Sequence, residues 1–261
     1  SENITIAGPK AAVAVDDSVF WMGSNEFYTY NGAVQRIPCT VRDYVFSNFN
    51  TEQYEKVTAG VNSAFGEVWW FYCSADSIDN NRYVVYNYQQ QIWYYGSLDR
   101  TVWLDRGIIT NPTAASQGYL YTHETGFDDG SQDPVVGIQS YIQSSQMDIG
   151  EGDKFVSISR IIPDITFRDS TSSTPTVDFT VYVQDYPGSG VDVTQTHPSM
   201  GTFSGEVEYL NANSYILEGF TDKIDTRIRG RSFILKVQSD ETKVAWRLGS
   251  PRLDIRLDGR R

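Results

Sequence analysis

Histidine is nearly missing from this sequence: only His123 and His197 are present, and neither stands near a nucleophile motif. The commonest general base of enzymes is therefore scarce. There is no Gly-x-Ser-x-Gly elbow, no glycine loop ending in Lys-Ser or Lys-Thr, and no pair of histidines at helical spacing for zinc. Cysteine is as sparse. Cys39 follows a proline at a loop edge and Cys73 ends an aromatic run, a spacing that fits neither a zinc site nor a redox pair, so both are read as buried thiols. No run approaches the roughly 18 apolar residues that a membrane helix needs. The opening Ser1-Glu2-Asn3-Ile4-Thr5 lacks a basic stretch followed by an apolar one, and the missing Met points to a processed product or a segment of a longer polypeptide. These absences weigh against an enzyme: no catalytic residue, cofactor or metal ligand is expected.

Lys and Arg are outnumbered, leaving a formal charge of -12 over 261 residues. Surfaces that bind nucleic acid gain affinity by replacing counterions with basic side chains, so the balance argues against such a surface. The average hides an asymmetry. Arg227, Arg229, Arg231, Lys236, Lys243, Arg247, Arg252, Arg256, Arg260 and Arg261 crowd the end of the chain against Asp240, Glu241, Asp254 and Asp258. The tail is basic and everything before it is acidic.

What is abundant is Tyr, Phe, Trp, Val, Thr and Ile, while helix-period stretches are few, so the chain reads as all-β. Residues 12–15, 18–22 and 26–30 are expected strands, the last two joined by Gly23-Ser24-Asn25, and the chain turns again at Asn31-Gly32 to return through 34–37. Residues 43–57 are the one helical stretch, with Asn50 or Thr51 as N-cap. The run Glu67-Val68-Trp69-Trp70-Phe71-Tyr72-Cys73 is apolar on both faces and reads as a central strand covered twice. Strands at 82–88 and 92–95 follow, and 118–126 begins a third similar unit. A recurrence of roughly 40 to 50 residues with late aromatics is the pattern of propeller blades.

Composition shifts at 127–134, a polar linker. Asp128, Asp129 and Asp133 there offer clustered oxygens of the kind calcium takes, but their spacing departs from the EF-hand and the segment is read as solvated. Beyond it, expected strands at 135–142, 154–165, 176–184, 207–210, 232–238 and 244–248, with loops at 169–175 and 187–202, fit a β-sandwich. The expected organisation is thus 1–134, aromatic-rich propeller-like blades, and 135–261, a sandwich-like domain with Arg-rich final strands.

Val19-Phe20-Trp21-Met22-Gly23, Phe27-Tyr28-Thr29-Tyr30-Asn31-Gly32, Ile37-Pro38-Cys39-Thr40-Val41-Arg42-Asp43-Tyr44-Val45-Phe46, the aromatic run at 67–72, and Arg82-Tyr83-Val84-Val85-Tyr86-Asn87-Tyr88 with Trp93-Tyr94-Tyr95-Gly96 resemble the tail nozzle (tail tubular protein B-like) proteins of short-tailed bacteriophages. The ending is similar too, through Arg227-Ile228-Arg229-Gly230-Arg231, Trp246-Arg247-Leu248-Gly249 and Arg252-Leu253-Asp254-Ile255-Arg256. The resemblance implies a virion protein, one copy in a hexameric ring that forms the distal tail tube, meets other tail proteins such as an adaptor, and lets DNA pass without binding it specifically. Family members are usually longer, with further domains ahead of the part seen here.

A row of like charges is tolerable only where solvent screens it or carboxylates oppose it, and a basic edge suits the acidic body of the next subunit. Arg227, Arg229, Arg231 and Arg247 are accordingly the expected subunit-interface residues. The competing reading is a carbohydrate-binding or depolymerising tail module, with aromatic platforms for sugars and Asp76 and Asp79 as a carboxylate pair. Trp69, Trp70, Trp93 and Tyr95 lie at β spacing and are expected in the core, and the sialidase-type Ser-x-Asp-x-Gly-x-Thr-Trp repeat is missing from the sequence.

Overall fold

The computed structural model describes residues 4–148, 154–184 and 212–259. The expected strand at 207–210, the loop at 187–202, His197, Arg260 and Arg261 lie outside the described residues. The chain is mostly β-strand with few helical turns, and it divides into two compact units, one up to Thr125 and one from Gly126.

The first unit is a succession of antiparallel meanders. β1 (Ala12–Val15), β2 (Ser18–Met22), β3 (Phe27–Tyr30) and β4 (Val34–Ile37) pair in chain order. So do β5 (Thr58–Asn62), β6 (Glu67–Tyr72), β7 (Arg82–Asn87) and β8 (Ile92–Ser97). A third sheet has only three strands, β9 (Val102–Leu104), β10 (Thr113–Ser116) and β11 (Tyr119–Thr122). The turn joining its last two strands holds Gln117 at φ +49° and Gly118 at φ +83°, the positive values that a two-residue hairpin matched to strand twist requires.

Alternation along β6 decides the packing. Val68, Trp70 and Tyr72 point into one cluster with Phe20, Met22, Phe27 and Ile37 of the first sheet, while Phe71 joins Trp103 and Ala114 of the third, with Trp69 packed against them. The expected doubly covered central strand is what the aromatic run forms. Between the first two sheets the expected helix is broken in two: an α-helix, Arg42–Ser47, and a 3-10 turn, Thr51–Lys56. Tertiary pairing breaks it, because Phe49 bridges Ser74 and the Asn50 amide donates to the Cys73 carbonyl at 3.0 Å. Asn50 then caps the second piece by accepting from Glu52 N at 3.0 Å.

The second unit takes in the expected linker, because β12 (Asp128–Asp129) pairs with β13 (Val136–Gly137). Its larger sheet joins β14 (Ser140–Gln143) and β15 (Met147–Asp148) to one long strand, with the order β14-β21-β18-β19 built from β18 (Thr176–Gln184), β19 (Ala212–Glu218) and β21 (Ser232–Ser239). Its smaller sheet has β16 (Val156–Ile162) between β20 (Ile224–Gly230) and β23 (Arg252–Leu257). A two-residue ribbon pairs β17 (Ile165–Thr166) with β22 (Arg247–Leu248). Val156, Ile158, Ile161 and Ile228 of the smaller sheet and Phe179, Val181, Leu217 and Phe233 of the larger form one hydrophobic cluster. Breaks at 138–139 and 163–164 divide the expected strands 135–142 and 154–165 into shorter pieces.

Candidate functional site

The outer face of the smaller sheet concentrates the basic charge. Along β20, Ile224, Thr226, Ile228 and Gly230 are buried while Asp225, Arg227 and Arg229 are exposed, the two-residue alternation of a half-buried strand. On β23 the same alternation exposes Arg252, Asp254 and Arg256. Central β16 presents Ser157, which stands opposite Arg229 on one side and Arg256 on the other. Against β23, a bulge between Ile158 and Arg160 inserts one extra residue into β16. It lets Ile158 and Ile161 both face the core and still turns Arg160 outward, opposite Asp225 and Asp254.

The charges on this face are unevenly opposed. Arg160 Nε donates to Asp225 Oδ1 at 3.1 Å, with Lys223 Nζ 3.5 Å from the other oxygen. The hydrogen bond from Arg160, followed by the charge of Lys223, holds the Asp225 carboxyl below its ordinary pKa. Arg229 donates to Asp258 Oδ2 at 2.5 Å, and its guanidinium lies 4.1 Å from the centre of the Phe155 ring. Arg231, at the corner between β20 and β21, covers the same ring at 4.9 Å, and its Nε is buried without a hydrogen-bond partner among the described residues. Among the described residues, no carboxylate lies within ion-pair distance of Arg227, Arg252 or Arg256.

Two of the four arginines singled out in the sequence, Arg227 and Arg229, therefore share this face, and Arg231 borders it. Arg247 does not: it sits on the separate ribbon and donates to Asp169 Oδ2 at 2.6 Å. Arg252 and Arg256 complete the face instead, and their spacing of four with Asp254 between them carried the same strand signal as Arg227 and Arg229. Arg160 had no such signal, since the bulge puts it out of phase with its strand. Guanidinium forks in this number match planar carboxylates or phosphate-like anions.

Elsewhere the sequence candidates serve the fold. His123 Nε2 accepts from Arg100 Nε at 3.0 Å, and its ring lies 4.8 Å from that of Trp103. Arginine can only donate, so the imidazole is neutral with its proton on Nδ1. Burial, then the Arg100 charge, pushes its pKa down to about 4. Trp70 is wholly buried, and Trp69, Trp93 and Tyr95 are partly buried within the clusters of the first unit. Asp79 pairs with Lys56 at 3.1 Å. Asp128 and Asp129 accept from the Lys243 amide at 2.6 Å and from the Ser131 amide at 3.0 Å. Both cysteines are free, and burial pushes the Cys39 thiol up to about 12.

The described residues thus define an all-β protein of two units, the second with an arginine-rich sheet face. No helix among them is long and apolar enough to cross a membrane. No protein-family model matches the chain, and no curated protein matches it.

Proposed function

We propose that this chain is a structural protein of a bacteriophage tail, part of the nozzle through which DNA leaves the particle, and that its place is in the virion. The three sheets of the first unit are consecutive propeller-type blades on this reading, and the second unit is a β-sandwich. The observation that carries it is the stacking of chain-order meanders through aromatic cores, joined to sequence stretches that resemble the nozzle proteins. A blade buries its faces only against neighbours, so a three-sheet stack suits a molecule completed by further domains or other copies.

Assembly is through the arginine face. Unlike surfaces meeting head to tail close a ring, and Arg227, Arg229 and Arg256 suit the acidic body of the next subunit. The net negative charge suits a wall that passes DNA without holding it, since like charge repels phosphates over roughly 8 to 10 Å at physiological salt. The test is the purified chain examined by light scattering and particle imaging. Rings of a fixed copy number, six on this reading, support it. A monomer whose tryptophan fluorescence shifts saturably with host polysaccharide would replace it with the carbohydrate-binding tail module.

A further inference from the structure

A second cluster, in the first unit, is unlike the arginine face in every respect. Asn62 ends β5 and stands directly opposite Glu67, the first residue of β6, so both side chains share the face of the sheet that Trp69 and Phe71 occupy. Asn62 is wholly buried and Glu67 nearly so. The Asn62 amide nitrogen donates to Glu124 Oε1 at 3.0 Å, which brings a second carboxylate to the pair from just beyond β11. Glu67 accepts from Trp69 Nε1 at 3.0 Å and is hydrogen-bonded to Tyr94. The Asn111 amide holds the Glu124 carbonyl at 3.0 Å.

Two features of this arrangement are unresolved by the protein's own groups. Asn62 Oδ1 is buried with no hydrogen-bond partner among the described residues, a state that destabilises a folded protein unless something else meets it. Neither Glu67 nor Glu124 has a Lys, Arg or His within ion-pair distance among the described residues. Negative charge has been gathered here without a protein cation to neutralise it.

We infer that Asn62 Oδ1, Glu67 and Glu124 form a binding site for a hard divalent cation of the calcium type. An amide oxygen and two carboxylates are the donor set such ions take. Calcium tolerates irregular geometry and keeps waters, and Glu124, at the solvent edge, leaves an entry path and room for them. One ion meets the unpartnered oxygen and neutralises both carboxylates. It also ties the end of β11 to β5 and β6, and so the third sheet to the second.

Terbium, a calcium substitute of similar size and ligand preference, is the probe. Trp69 donates to Glu67 and therefore sits close enough to sensitise its emission. The full chain should show saturable terbium emission on tryptophan excitation, displaced by calcium, and calcium should raise its unfolding temperature. Glu124→Gln keeps the acceptor for Asn62 but removes a charge, and should weaken both effects by about tenfold or more. Glu67→Gln should do the same, with circular dichroism checking its fold. Absence of saturable emission from the parent overturns the site, as does unchanged affinity in Glu124→Gln. The orphaned oxygen is then met by a buried water.

Discussion

The indole of Trp70 in the second sheet donates its Nε1 hydrogen to the carbonyl of Ala11, one residue ahead of the first sheet, at 3.0 Å. Its ring lies 5.0 Å from that of Phe27 and 6.0 Å from that of Trp93, and the side chain is wholly buried. Trp70→Ala removes this whole junction and should cost roughly 3 to 5 kcal/mol, as deletions of large buried rings do. Chemical denaturation read by circular dichroism measures it. An unchanged midpoint would show that the two sheets do not depend on this contact.

Gly60 is the counterpart on the other face of the second sheet. A Cβ there would collide with Trp103 Cδ1, and Trp103 is held in place by its own bond to the Val61 carbonyl at 2.8 Å. Gly60→Ala should therefore destabilise the first unit by about 1–3 kcal/mol through overpacking. Gly107, around which a Cβ meets nothing within 4 Å, is the control. Gly107→Ala should leave the midpoint within about 1 kcal/mol of the parent.

His123 makes stability depend on acid. Its folded pKa, near 4, is below the ordinary 6.5, so between those values the unfolded chain binds the extra proton and the folded one does not. Stability from this residue is complete above that window and falls as pH drops through it, because a protonated ring cannot accept from Arg100. His123→Gln still offers an acceptor and does not titrate. The stability of the parent relative to this variant should decline from neutral pH towards pH 4, measured as paired thermal midpoints across the range. A constant difference would remove the assignment.

Charge reversal on the arginine face separates assembly from folding. Arg229→Glu with Arg231→Glu loses the Asp258 pair and both contacts on Phe155, so a modest cost on the order of 1 kcal/mol is expected alongside loss of assembly. Arg227→Glu with Arg256→Glu breaks no ion pair among the described residues and should leave stability within about 0.5 kcal/mol of the parent while blocking assembly. Circular dichroism reports the fold and light scattering the mass. If the second pair assembles like the parent at physiological salt, this face is only solvated.

The β class is legible along the chain, because alternating aromatic and branched residues are a local signal. The same signal marked β1 to β4 and β6 to β8, and the alternation of Arg227, Arg229 and Arg231 marked all three for one face, of which β20 carries Arg227 and Arg229 while Arg231 lies beyond its end. The sequence offers Asn50 or Thr51 as the cap, and the structure uses Asn50 through a contact that spans only two residues.

The remaining features depend on partners far along the chain. β5, β9 and β10 are short and weakly patterned, and they are strands because β6 and Trp103 give them something to cover. The helix at 43–57 stops where Phe49 and Asn50 pair with the end of β6. Arg160 joins the basic face through a bulge that no period announces, and Arg247 leaves it for Asp169. Glu67 heads the aromatic strand and Glu124 lies far along the chain, just beyond β11, and only the register of β5 on β6 and the Asn62 bond to Glu124 bring both acids to the residue that carries a buried, unpartnered oxygen. Local pattern specifies which way a side chain points on its strand, whereas which charges end as neighbours is settled by pairing between distant segments.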